Sequence, residues 1–96
     1  MMSRTQYLLV KLSEECDEVS QRALKAAQFG LDETQRDHES DNRERLNLEL
    51  DDLNAIVELL NSYSDLRYEY DQVRVDQKKI KVMRYKEYSQ SLGLVK

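Results

Sequence analysis

Along the first thirty residues, apolar side chains return at helical spacing. Leu8, Leu12, Val19, Ala23 and Ala26 share one stripe, with polar residues between them. This predicts a first helix from about Ser3 to Phe29. Ser3 suits the N-cap, since its hydroxyl can accept a free N–H of the first turn, and Gly30 suits the left-handed position past a helix end. Residues 31–41 read Leu-Asp-Glu-Thr-Gln-Arg-Asp-His-Glu-Ser-Asp, a polar run that predicts a solvated loop. Asp41 or Asn42 then caps a second helix. It carries Leu46, Leu50, Leu53, Val57 and Leu60, alternately four and three apart, a heptad-like seam made to pack on another helix. Asn61, Ser62, Ser64 and Asp65 mark its end. The stretch Tyr68 to Val75 alternates loosely and reads as extended chain or as a short helical turn. A third helix is expected from near Asp76 to Leu92, with Ile80, Val82, Met83, Tyr85, Tyr88 and Leu92 as its apolar residues and Gly93 as its stop.

Composition agrees. In 96 residues there are two glycines and no proline, too little turn chemistry for a sheet of hairpins and no material for a glycine-rich phosphate loop. The expected fold is all-α, with three main helices per chain in a helical bundle that homo-oligomerisation completes, because a chain this short buries little on its own. Charged residues make up 35% of the chain and the net charge is -4, which argues against a nucleic-acid polymer as partner. Cys16 has no second cysteine to pair with, so a reducing cytoplasm is the expected location. The longest uninterrupted aliphatic runs, such as Leu8 to Val10, are three residues, so no membrane span or secretion signal is expected. Charge is uneven: Asp32 to Asp52 holds nine acidic and three basic residues, Lys78 to Lys96 six basic and one acidic.

Two acidic clusters interrupt the apolar stripes. Glu15 and Glu18 lie three apart in Glu14-Glu15-Cys16-Asp17-Glu18, and the stripe through Glu15 also passes Leu8, Leu12, Val19, Arg22 and Ala26. Glu49 and Asp52 lie three apart in Glu49-Leu50-Asp51-Asp52, and their stripe continues to Ile56 and Leu59. Packed antiparallel, the two helices bring four carboxylates together, and such a cluster repels itself unless a cation neutralises it. Oxygen ligands at this density suit Mg2+, with Mn2+ as a substitute. Zinc is disfavoured because His38 is the single histidine and Cys16 stands alone, and the acids lie on helices rather than in a calcium-binding loop. Acid pairs three apart also arise by chance in a chain with 19 acidic residues, where they are simply solvated helix faces. Two of them, both set into apolar stripes, tip the reading to metal binding.

Glu14-Glu15-x-x-Glu18 followed by Glu49-x-x-Asp52 resembles the EExxE…ExxD signature of the MazG-like, all-alpha nucleoside triphosphate pyrophosphohydrolases. The flanks are similar too: Leu8 to Ser13 before the first motif, Gly30-Leu31-Asp32 after its helix, Asn42 to Leu46 before the second motif, and the tail from Lys78 to Gly93, which resembles compact, often phage-encoded members. The resemblance spans nearly the whole chain and implies a single MazG-like domain over residues 1–96. It implies a homodimer or homotetramer, in the host cytoplasm if the chain is phage-encoded. It also implies Mg2+-dependent cleavage of a nucleoside triphosphate, ribo or deoxy, to the monophosphate and pyrophosphate. Glu15, Glu18, Glu49 and Asp52 match the metal-ligand positions, and Glu14 the leading glutamate. Asp17 and Asp51 depart from the pattern, the latter standing where several members have glycine.

The chemistry is coherent on the residues themselves. Phosphoanhydride cleavage needs positioning, charge neutralisation and a nucleophilic water. Glu14 is the candidate to accept that water's proton. Lys78 and Lys81, with Arg22 and Lys25, are the candidates to hold phosphate, set against the plain reading that they balance the acidic residues or solvate their helices. His38 reads as an ordinary exposed loop histidine and Cys16 as a small buried core residue. The tyrosines and Phe29 read mostly as core or interface. Two other functions stay open: a nucleotide-binding sensor or sink that does not cleave, which Asp17 and Asp51 motivate, and a plain helical dimerisation module.

Overall fold

The computed structural model describes residues 1–36 and 39–96; His38 lies outside the described residues. The described chain is all-helical: α1 (Arg4–Phe29), α2 (Asn42–Tyr63) and α3 (Gln72–Ser91), with a single isolated bridge, Thr34 to Asp41, and no strands. Ser3 caps α1 as expected. Its Oγ accepts the Gln6 N–H at 3.1 Å while the Gln6 side chain accepts the Ser3 N–H at 2.8 Å, so two otherwise unpaired donors are satisfied reciprocally. Gly30, at φ +94°, ends α1 and donates its N–H to Ala26 O at 2.8 Å. The Asp41 side chain caps α2, accepting the Glu44 N–H at 2.9 Å.

α1 and α2 pack on each other as an antiparallel hairpin: Glu15 feels Asp52, and Glu18, further along α1, meets Glu49, earlier on α2. The inward row of α1 is Leu8, Leu12, Glu15, Val19, Arg22 and Ala26, all buried or half-buried, as the periodicity predicts. Ala23 is exposed, because helical spacing sets it off that row. On α2 the inward row is Asn42, Leu46, Glu49, Leu53, Ile56 and Leu60; Leu50 of the expected seam is 40% exposed. Leu8 and Leu60 are the buried apolar side chains among the described residues, a thin core for a domain.

The loop between the helices is tied down by Asn42, which is 1% exposed. Its Nδ2 donates to Gly30 O at 2.9 Å and to Glu33 Oε2 at 2.8 Å, and its N–H donates to Glu33 O at 3.0 Å. The expected solvated loop is thus anchored to the first turn of α2, with Arg43 adding a 2.7 Å ion pair to Asp32.

Three expectations need correction. α3 starts at Gln72, ahead of Asp76, because the Asp71 carboxylate caps it by accepting the Arg74 N–H at 3.1 Å. Cys16 is exposed rather than buried, since its position lies beside the α1 inward row and nothing among the described residues covers it. Of the core or interface positions expected for the tyrosines and Phe29, core is excluded: their exposure runs from 50% at Tyr63 to 63% at Tyr88, since the described chain packs only two helices together, and an interface stays open.

Candidate metal centre

Side chains of Glu15, Glu18 and Glu49 converge on the hairpin. Each offers a carboxylate oxygen, and the three oxygens lie within 4.8 Å of one another. The cause is the antiparallel register. Glu15 and Glu18 are one turn apart on α1, and α2 runs the other way with Glu49 beside Glu18. Glu15 and Glu49 are half-buried, Glu18 is exposed, and the cluster opens to solvent on one flank of the hairpin.

Electrostatics mark the cluster as uncompensated. The Glu15 carboxyl is pushed above the ordinary 4.5, first by desolvation and then by the charges of Glu18, Asp52 and Glu14. Glu49 is raised for the same first reason, then by the adjacent carboxyl and charge of Glu18 and by the charges of Asp52 and Glu15. Glu15 Oε2 and Glu49 Oε2 are buried without a hydrogen-bond partner. Two buried, partnerless oxygens aimed among like charges form a set of hard donors that a divalent cation fits. Asp52 stands close enough to act on both glutamates and lies outside the three-oxygen group.

The other candidates fall into two places. Glu14 points to the outer surface, where it accepts a hydrogen bond from Lys11 Nζ at 3.0 Å. Arg22 and Lys25 are half-buried on α1, and Arg22 Nη1 is buried without a partner. Lys78 and Lys81 are exposed on α3, which among the described residues does not pack on α1 or α2, so the single chain does not bring them to the acids.

Arg45 is a site residue to which the acidic motif does not point. It lies four residues before Glu49, as Arg22 lies four after Glu18, so the register sets the two arginines opposite each other one turn beyond the acids. Arg45 Nε is buried and unpartnered, like Arg22 Nη1. The stripe through Glu49 carries the signal; a search for acids alone does not look for it.

No described helix is long and apolar enough to cross a membrane. Comparisons with protein-family models, curated proteins and solved structures find no match to this chain.

Proposed function

We propose that this chain is a Mg2+-dependent nucleoside triphosphate pyrophosphohydrolase that works as a homo-oligomer. The observation that carries the reading is the convergence of Glu15, Glu18 and Glu49 within 4.8 Å, two of them with buried, partnerless oxygens. The acidic motif in the sequence supplies the nucleotide part of the proposal.

Glu15, Glu18, Glu49 and Asp52 are the residues that would hold Mg2+, with Mn2+ as a substitute. Bound there, the ion supplies charge neutralisation for phosphate oxygens and a water of lowered pKa. The chain's own groups supply the rest. Arg22 and Arg45 present unpaired guanidinium nitrogens beside the acids, suited to phosphate oxygens in a forked geometry, with Lys25 one turn further along α1. Glu14 accepts the proton of the attacking water; its partner Lys11 is a surface group, and such a pair opens at little cost.

Incubation with individual NTPs and dNTPs plus Mg2+, with pyrophosphate and monophosphate both quantified, tests the reading. Turnover that Glu15→Gln abolishes supports it. Tight nucleotide binding with the ligand unchanged after long incubation points instead to a sensor or sink. Neither binding nor turnover leaves the helical dimerisation module.

A further inference from the structure

Among the described residues, α3 packs against neither α1 nor α2. Val73, Ile80, Val82 and Met83 are each more than half exposed. Helical spacing places Val73 and Ile80 on one side of α3 and Val75 and Val82 on the opposite side. A helix that is apolar on opposite sides is built to be covered from two directions.

The area involved is large. The chain exposes 8096 Å2, whereas a folded monomer of 11.4 kDa exposes about 5,800 Å2. The radius of gyration is 16.9 Å, against about 12 Å for a compact chain of this length. The surplus of about 2,300 Å2 per chain, removed from each of two copies, falls within the roughly 2,000–5,000 Å2 of obligate dimers.

Charge identifies the occupant. Residues 1–65 carry fifteen acidic and seven basic side chains; residues 66–96 carry four acidic and eight basic. The arm is therefore complementary to the hairpin of its own sequence. On the hairpin, Leu9, Cys16 and Ala23 recur every seven residues along α1, and Leu50 and Val57 do so along α2. Helical spacing sets both rows on the flank opposite the glutamates. They are uncharged, and the α1 row includes small side chains that let another helix approach closely.

The connection directs α3 outward. Asn61 brackets Tyr68, its Nδ2 donating to Tyr68 O at 3.0 Å and its Oδ1 accepting the Tyr68 N–H at 2.8 Å. Between them Arg67 holds φ +52°, a left-handed conformation that a non-glycine residue adopts at a cost and that this bracket stabilises.

We infer that α3 docks on the uncharged flank of a second copy, so that two chains exchange their α3 arms. This deepens the oligomeric part of the function proposed above and leaves the glutamate cluster open. Lysines of α3 then lie near the carboxylates at the outer edge of the partner's α2, Asp51 and Glu58.

The test uses the full chain. Labelled (15N) and unlabelled protein are unfolded together, refolded, and treated with a carbodiimide that joins amines to carboxylates. Mass spectrometry then reads whether links from Lys78, Lys79, Lys81 or Lys86 to hairpin carboxylates join chains of different label. Sedimentation gives the oligomeric mass. A dimer with mixed-label links is the expected result, with Ile80→Asp and Val82→Asp each weakening association about a hundredfold at unchanged helix content. Same-label links alone mean that α3 folds back on its own hairpin, which overturns the exchange. A dimer without α3 links and indifferent to both substitutions overturns the exchange and leaves the oligomer standing. A monomeric wild type overturns both, while stabilisation by Mg2+ reports on the glutamate cluster separately.

Discussion

Glu18 and Glu49 meet across the α1–α2 interface, near enough for one carboxyl to hydrogen-bond the other when a proton is present. Without a proton or a cation between them, the pair opposes the packing that brings it together. The hairpin therefore holds a local conflict at its centre, which its leucine rows and the Asn42 anchor sustain. Such a conflict is expected where structure serves binding rather than stability.

That conflict sets a pH dependence. Glu15 and Glu49 both titrate above the ordinary 4.5 in the folded chain, so the folded state keeps protons that the unfolded state has released. Their contribution is fully present below 4.5 and is lost as pH rises through the raised values. Metal-free protein should lose melting temperature as pH rises above 4.5. Glu49→Gln should flatten that decline, and millimolar Mg2+ should restore the wild-type melting temperature at high pH while leaving Glu49→Gln largely unmoved. A thermal scan across pH with and without EDTA checks all three.

The anchor of the loop should be costly to remove. Asn42→Ala deletes a buried amide that donates to Gly30 O and to the Glu33 carboxylate, removing both ties between the loop and α2 and leaving a void where the side chain sat. The expected loss is about 2 kcal/mol, read from urea denaturation. Because the register of α2 against α1 depends on this end of the hairpin, the Mg2+-induced stabilisation should shrink as well.

How far the fold can be read from the chain follows from which interactions are local. The hairpin is legible because periodicity, the Ser3 and Asp41 caps and Gly30 are all local signals. The convergence of Glu15 with Glu49 also follows, since two antiparallel helices with acids in their inward rows must bring them together. The start of α3 is not legible in the Tyr68–Val75 alternation, because the deciding contact is one carboxylate, Asp71, on one N–H. Nor is the burial of Asn42, whose partners lie nine and twelve residues away. Cys16 and the tyrosines show the limit of periodicity: it states which side of a helix is apolar, and not whether anything in the chain packs there.

Two glycines separate backbone strain from crowding. Gly30 at φ +94° and Gly93 at φ +77° both have open space where a Cβ would sit, so any cost of alanine is conformational. At Gly30, with ψ 154°, the backbone lies in a region essentially reserved for glycine, and Gly30→Ala should cost about 1–3 kcal/mol. Gly93 follows the exposed end of α3, where the chain can fray, and Gly93→Ala should shift the urea midpoint far less.

Glu14 and Arg45 separate chemistry from metal binding. Glu14 is a surface residue paired with Lys11, so Glu14→Gln should change stability by less than about 1 kcal/mol and leave the Mg2+-induced thermal shift intact. If Glu14 takes the proton from water, the same substitution should lower kcat by about a hundredfold or more with KM little changed. Arg45→Met keeps the apolar stem and removes the unpaired guanidinium. It should raise KM for the nucleotide, because a phosphate contact present before the chemical step is lost. A panel of steady-state rates on both variants distinguishes these outcomes. Equal loss of the Mg2+ shift in both would mean instead that they support the cluster's geometry, and would remove them from the reaction.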